Sequence, residues 1–264
     1  MKEDLTDVTF LIPIRLDSIL RLENILLIIE YLTSNFRTSI IITEAAPYYN
    51  GILPKLIPKS VIYNFVEDYD IVFHRTKYLN IMIRKAITPF VAIWDSDVII
   101  DSKQILDSII NLRRGKADIL FPYDGHFYDT GSIIRKNYFV SRNIDFLKRN
   151  ESKMCLLYGS EMIGGAIFVD KEKYIYAGME NEHFYGWGPE DSERYHRWEV
   201  FGLKILRAKG SLYHLTHPRD INGKLRSDDL YTYQVSMVTN VAESTKNELI
   251  DSFKKNPKSL FDEY

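Results

Sequence analysis

Two aspartates one residue apart, Asp95 and Asp97, follow directly on the apolar run Phe90-Val91-Ala92-Ile93-Trp94. Side chains two apart in an extended chain point the same way, so the pair can present two carboxylates to one ligand. Hard divalent cations take oxygen ligands, and a site with few protein carboxylates is completed by substrate phosphates and water. The plainer reading is a solvated loop or a helix cap, a role that Asp101 with Ser102 fits. A second constellation is Gly186-Trp187-Gly188-Pro189-Glu190-Asp191, preceded by Gly164-Gly165. Glycines around Trp187 let the backbone turn sharply and hold an indole at the surface, a common platform for a sugar ring. Glu190 and Asp191 then open a helix, where the dipole favours the ionised form and an aspartate can accept a proton. Without a function the same residues make a Gly-Pro turn, an acidic cap and a core tryptophan. The third feature is His214 and His217, three residues apart. A histidine joining the two aspartates points to Mn2+, with Mg2+ as the alternative, because imidazole suits transition metals. A hydrogen-bonded surface histidine is the competing reading, and His74, His126, His183 and His196 carry no comparable signal.

The elements that must position these residues read as alternating strands and helices. Val8 to Ile14 is a continuous apolar run, as in a buried parallel strand. Ser18 to Leu32 has apolar residues at helical spacing, and Ser39 to Thr43 is a second short β-branched run. Val61 to Val66 and Asp70 to Phe73 are short strand candidates, and Thr76 to Ala86 has helical spacing before Pro89. Phe90 to Trp94 is the clearest strand. The fold class is therefore α/β, a mostly parallel sheet covered on both faces, with ligands expected beyond the carboxyl ends of the strands. Gly125 to Ser152 reads as one helix with flanking loops, Ile163 to Val169 as a strand, and Glu190 to Val200 as a helix opened by Pro189. From Arg226 to Pro257 there is no Pro or Gly, and the apolar residues are compatible with helix. These patterns predict one domain over residues 1–225 with a helical tail, 226–264, packed on it.

A chain of 264 residues can bury a full core in one domain. At 45% hydrophobic and 27% charged residues, disorder and fibrous classes are excluded. A net charge of -2 with scattered Lys and Arg argues against a nucleic-acid partner. Cys155 is the only cysteine, which rules out an intrachain disulfide and a thiolate metal site and fits a reducing compartment. The charged start Met1-Lys2-Glu3-Asp4 has no apolar stretch of signal or membrane-span length beside it. The expectation is a cytoplasmic protein with at most peripheral contact to the inner membrane.

Together these segments resemble the GT-A-fold glycosyltransferases, and among them the β-1,4-galactosyltransferase and chondroitin-polymerase type of catalytic domain. Ile12-Pro13-Ile14-Arg15 resembles the family's Pro-Phe-Arg-Asn-Arg strand end, which holds the nucleotide. Phe73-His74-Arg75-Thr76-Lys77-Tyr78-Leu79-Asn80 resembles its Phe-x-Arg-Ala-x-Leu-Leu-Asn segment. The likeness implies that Pro13, Arg15, Phe73 and Arg75 line the uridine or diphosphate site. Trp94-Asp95-Ser96-Asp97 stands where the family has its metal-binding Asp-Val-Asp, which implies Asp97 on the metal and Asp95 on the ribose or a metal water. Ile163-Gly164-Gly165-Ala166 and Gly186-Trp187-Gly188-Pro189-Glu190-Asp191 look like Phe-Gly-Gly followed by Gly-Trp-Gly-Gly-Glu-Asp. That match implies that Met162, Gly164, Gly165 and Trp187 surround the sugars, Glu190 orients hydroxyls and Asp191 is the base. His214-Leu-Thr-His217 looks like the Met-x-x-His metal pair, while the chondroitin polymerases point to His214, so the choice between the two histidines stays open. Three departures stand out: Pro189 replaces a glycine, Ser192 replaces an acidic residue, and Met162-Ile163 replace an aromatic pair.

The function so implied is inverting, metal-dependent transfer of a hexose or N-acetylhexosamine, Gal or GalNAc favoured, from a UDP-sugar to a carbohydrate or lipid-linked glycan hydroxyl. Bacterial surface polysaccharide or oligosaccharide synthesis is the setting expected. The alternative is a non-catalytic carbohydrate or nucleotide-sugar binder of the same fold. A sugar nucleotidyltransferase ranks behind it, since it would carry a Gly-rich basic phosphate loop where this chain has Ile14-Arg15-Leu16-Asp17.

Overall fold

In the computed structural model, which describes residues 2–159, 161–219 and 221–255, the first apolar run is β1 (Glu3–Ile14). Ser18 then caps α1 (Ile19–Asn35) by accepting from the Arg21 amide at 3.2 Å, and the apolar face of α1 buries Ile25, Ile28 and Leu32. There follow β2 (Phe36–Ala46), α2 (Leu53–Leu56), β3 (Ile62–Glu67), α3 (Arg75–Lys85) and β4 (Phe90–Trp94). Strands β1 to β4 pair in parallel in the order β4-β1-β2-β3, which requires crossover connections, here through helices. Pairing of β1 with β4 stops at Leu11, whereas pairing with β2 continues through Pro13 and Ile14. Pro13 thus occurs in a central strand only where the second neighbour has ended.

After β4 the chain makes the tight turn Asp95-Ser96-Asp97 and enters β5 (Val98–Ile100). The buried Trp94 clamps this turn, its indole N–H donating to the Val98 carbonyl at 3.2 Å. Asp101 caps α4 (Ser102–Arg113) through the Lys103 amide, the structural role expected of it. Next come β6 (Ile119–Phe121), β7 (Phe127–Asp129), α5 (Gly131–Ser141), α6 (Ile144–Arg149), β8 (Cys155–Leu156), β9 (Ala166–Asp170) and α7 (Lys171–Tyr176). The last third contains α8 (Glu190–Phe201), β10 (Ile205–Arg207), β11 (Leu212–His214), α9 (Asp228–Glu243) and α10 (Lys246–Lys255). The main sheet has the order β10-β6-β9-β4-β1-β2-β3, parallel except for β9, which runs antiparallel to both neighbours. Beside it lies a sheet of four short strands, β5-β11-β7-β8.

The fold class is as the alternation implied, and several local readings are corrected. Asp70 to Phe73 is not a strand: Asp70 accepts from the Val72 amide, closing a loop that Arg15 holds. Gly125 to Ser152 contains a strand and two α-helices, because Arg142 in the left-handed region ends α5 before Asn143 caps α6. The strand expected from Ile163 starts at Ala166, since Gly165 has φ +82 and bends the chain. The C-terminal stretch forms two helices, with buried Gln234 of α9 against the loop before α8. Residues 256–264 of the expected tail lie outside the described residues. No helix among those described is long and apolar enough to cross a membrane.

Candidate active site

The small sheet builds a cluster that can hold a metal ion. Antiparallel pairing of β11 with β5 sets His214 opposite Val98, so His214 arrives beside Asp97, and the Leu215 amide donates to the Asp97 carbonyl at 2.7 Å. Three residues on, His217 returns to the same carboxylate. Nε2 of His214 lies 3.7 Å from Oδ1 of Asp97, and Nε2 of His217 lies 3.0 Å from Oδ2. The ligand atoms of Asp97, His214 and His217 all lie within 4.8 Å of one another. Both histidines, between which the sequence did not choose, therefore face Asp97. Nδ1 of His214 lies 2.7 Å from Asp129 Oδ1, and Nδ1 of His217 lies 2.8 Å from the Pro218 carbonyl and 3.3 Å from Arg21 Nη2. Nε2 of each ring is thus the atom directed at Asp97, and the partner at Nδ1 orients the ring as outer partners of metal ligands do. One carboxylate and two imidazoles suit a divalent transition ion better than the all-oxygen shells of Mg2+ or Ca2+. Burial works to raise the Asp97 carboxyl, but His214, His217 and Arg21, 3.4 Å away, hold it well below the usual carboxylate range.

Asp129 escaped the sequence reading. It sits on β7 in register with His214, so the Asp97 turn, His214 and Asp129 form a row across adjacent strands. Asn24 of α1 supports the same segment, donating to the Leu215 carbonyl at 2.7 Å while accepting from Arg135 at 2.8 Å.

Asp95 is not among the three metal-ligand candidates, and it pairs with Arg75 of α3 at 2.7 Å. Burial, resisted by Arg75 and reinforced by Asp97 and Asp191, raises its carboxyl. The Asp95 amide donates to the Gly165 carbonyl at 2.9 Å, which ties the aspartate turn to the double glycine. Against the adjoining Gly164 packs Asp191, at the start of α8. A Cβ on Gly164 would come within 2.5 Å of Asp191 Oδ2 and 2.8 Å of the Met162 methyl, so only glycine leaves room for both side chains. Tyr123 fixes the bend, its hydroxyl donating to the Gly164 carbonyl at 2.6 Å, and Arg207 donates to the Met162 carbonyl at 2.9 Å. Asp191 Oδ1 is held by Arg194 at 2.5 Å. Glu190 is pushed up to about 8 by burial and then by the adjacent Asp191 charge. Among the described residues, Nη1 of Arg75, Oε2 of Glu190 and Nε of Arg194 are buried here without a hydrogen-bond partner.

Arg15 and Phe73 form a wall further along the strand ends. Arg15 donates from Nε to the Ala45 carbonyl at 2.9 Å, from Nη1 to the Asp70 carbonyl at 2.7 Å and from Nη2 to Asp68 at 2.8 Å. Its guanidinium lies 5.7 Å from the Phe73 ring centre, and the Phe73 amide donates to Asn222 at 2.8 Å. With every nitrogen engaged, Arg15 shapes the loop after β3. Trp187 is 38% exposed on the loop that leads to Glu190 and Asp191, and Gly186 turns that loop at φ +80.

Comparison with known proteins bears on the fold and on one segment of the chain. Residues 146–220 match a family described as the N-terminal domain of galactosyltransferase, a span that includes Met162, Trp187, Glu190, Asp191, His214 and His217. The fold is similar to the catalytic domain of Drosophila β1,4-galactosyltransferase 7 in complex with xylobiose, at 13% identity and TM-score 0.53, covering 92% of this chain and 82% of that one. It is also similar to glucosyl-3-phosphoglycerate synthase from Mycobacterium tuberculosis in complex with Mn2+, UDP and phosphoglyceric acid, at 12% identity and TM-score 0.55, covering 89% and 78%. A further complex of the Drosophila enzyme contains manganese, UDP-Gal and xylobiose, at 13% identity, TM-score 0.52 and coverage of 92% and 81%. No curated protein matches by sequence. The chain thus has the GT-A glycosyltransferase fold, and over residues 146–220 it is similar to the galactosyltransferase family.

Proposed function

We propose that this protein is a metal-dependent glycosyltransferase that moves a sugar from a UDP-sugar to a carbohydrate hydroxyl with inversion. The observation that carries the reading is the metal-type cluster (Asp97, His214, His217) on a turn that the Asp95 amide ties to Gly165, while Asp191 packs against the adjoining Gly164. The Mn2+ and UDP bound in the similar folds support it. A bound divalent cation supplies positive charge opposite the departing diphosphate. Arg75 keeps Asp95 as its partner and offers Nη1 to the donor. Arg15, Phe73 and Pro13 line the nucleoside side. Asp191 takes the acceptor proton at Oδ2 as the acceptor oxygen bonds to the anomeric carbon and the bond to the diphosphate breaks, its electron pair leaving on UDP. Glu190, protonated in the neutral range, donates a hydrogen bond to a sugar hydroxyl. Trp187 covers the acceptor face.

Residues 1–225 form the catalytic domain in this reading, with residues 226–255 packed on it as a helical tail. Donor choice rests on Met162, whose methyl lies beside Gly164 on the Asp191 side. An unbranched thioether yields more room at position 2 of the sugar than an aromatic ring does. UDP-GalNAc is therefore used at least as well as UDP-Gal, by a cytoplasmic enzyme building a surface glycan on a carbohydrate or lipid-linked acceptor. The test is UDP release from a panel of UDP-sugars with Mn2+ and mixed glycan acceptors. Competition between the two donors should shift toward UDP-Gal in Met162→Tyr, by about 1–3 kcal/mol. An unchanged ratio removes Met162 from donor choice, and donor binding without UDP release in any mixture overturns transfer.

A further inference from the structure

Arg194 lies one helical turn after Asp191 on α8, on a face that packs inward. It is 2% exposed, and so is almost wholly withdrawn from solvent for a side chain that carries a fixed charge. One end of its guanidinium, Nη2, holds Asp191 Oδ1 at 2.5 Å, and the other, Nη1, donates to Glu180. Glu180 is itself 1% exposed and tightly fixed. The Tyr174 hydroxyl donates to it, and Asn80 grips its backbone twice, accepting from the Glu180 amide at 2.9 Å and donating to its carbonyl at 3.0 Å. Trp198 stacks behind the guanidinium, 5.2 Å from the ring centre. The planar fork of arginine is thereby fixed before it meets Asp191, and a fixed fork sets the plane and rotamer of the carboxylate it binds.

We propose that Arg194, anchored by Glu180, is a positioning residue that engages one oxygen of Asp191 and reserves the other, Oδ2, for the acceptor hydroxyl. Oδ2 is the oxygen that lies over Gly164, toward the site. The assignment rests on the reading of Asp191 as proton acceptor. The groups facing Asp191 are Arg75 from α3, Asp95 after β4, Tyr123, and Glu190 from its own helix, with Glu180 behind Arg194. Without Arg194 the only cation among them is Arg75, which is already paired with Asp95.

The experiment compares wild type, Arg194→Lys and the double variant Arg194→Met with Glu180→Gln. The double variant removes a buried cation and its buried anion together and so leaves neither unpaired. Three quantities are read: UDP binding with Mn2+ by calorimetry, kcat and KM, and the 13C NMR signal of the Asp191 carboxyl, assigned through Asp191→Asn. The double variant is expected to bind UDP with Mn2+ as wild type does while kcat falls about tenfold or more. The 13C signal of the Asp191 carboxyl should shift in the double variant, because the carboxylate has lost its fixed partner. Arg194→Lys should lose a smaller part of kcat, because an ammonium restores charge without the fork. Wild-type kcat in either variant, or a loss of UDP binding that matches the loss of rate, overturns the positioning role. Absence of transfer by wild type with every donor would refute Asp191 as base, and in that case the NMR measurement still reads the pair: an unmoved Asp191 signal overturns the proposal independently of turnover.

Discussion

Among the described residues Asp97 is the one carboxylate that two imidazoles approach, so its removal should abolish metal binding while leaving the core intact. Asp97→Ala is expected to lose Mn2+ binding by titration calorimetry, and UDP release with it; retained binding would shift the site elsewhere. Asp129→Asn removes the acceptor behind His214 and should weaken Mn2+ by about 10–100-fold, the range for outer partners of a metal ligand. Glu190 gives a pH prediction. Its pKa of about 8 in the fold lies above the ordinary 4.5, so between those values the folded chain holds a proton that the unfolded chain has lost. Stability from this group is complete below the lower value and falls as pH rises toward 8. Glu190→Gln lacks that loss, so urea melts of the variant should gain on wild type from pH 5 to pH 8.5, and parallel curves would count against a protonated Glu190. Asp97, Asp191 and the histidines were legible in the sequence because polar side chains follow abruptly on apolar or glycine-rich runs. Arg194 and Glu180 were not, since a charged residue on a polar helix reads as solvated until its partner is known.

Elements bring these residues together through two devices. The Gly164-Gly165 bend lets Asp191 and Met162 approach the backbone, and a methyl at Gly164→Ala, 2.5 Å from Asp191 Oδ2, would push aside the oxygen proposed to take the proton. That variant should still bind UDP with Mn2+ but lose transfer by about 10²-fold, close to the loss in Asp191→Asn. Equal turnover to wild type would show that Asp191 does not use that oxygen. The small sheet is the second device, and it was the part of the fold least visible beforehand. Its strands have two or three residues each, too few for a period of two to register, and Asp129 lies in a Tyr-rich stretch without pattern. Long apolar runs such as Val8 to Ile14 and Phe90 to Trp94 declared themselves because both faces are buried. The Asp70 to Phe73 segment misled because its apolar residues serve a loop held by Arg15.

At the scale of the whole molecule, ligand binding should appear as stability. A UDP-sugar at one hundred times its dissociation constant adds about 2.7 kcal/mol to the folded state. For a chain of this size that is a rise in Tm of roughly 5–10 °C, expected with Mn2+ present and absent in Asp97→Ala. Equal shifts in the two proteins would separate nucleotide binding from the metal cluster. The mostly parallel character of the main sheet was legible in the alternation of strands and helices, but its strand order, the antiparallel β9 and the meeting of residues from Arg75 to His217 depended on long-range register that no local pattern encodes.

The four-stranded sheet also aligns Cys155 of β8 with Asp129 of β7, which is aligned with His214 of β11 and, through it, with Val98. Cys155 is exposed and is the only cysteine in the chain. Three strand spacings separate it from the Asp97 turn, about 14 Å. A nitroxide attached to that thiol would therefore serve as a spectroscopic ruler already in place: paramagnetic Mn2+ arriving at Asp97 should broaden its signal, nucleotide could be titrated against the same readout, and no second cysteine would need to be removed first.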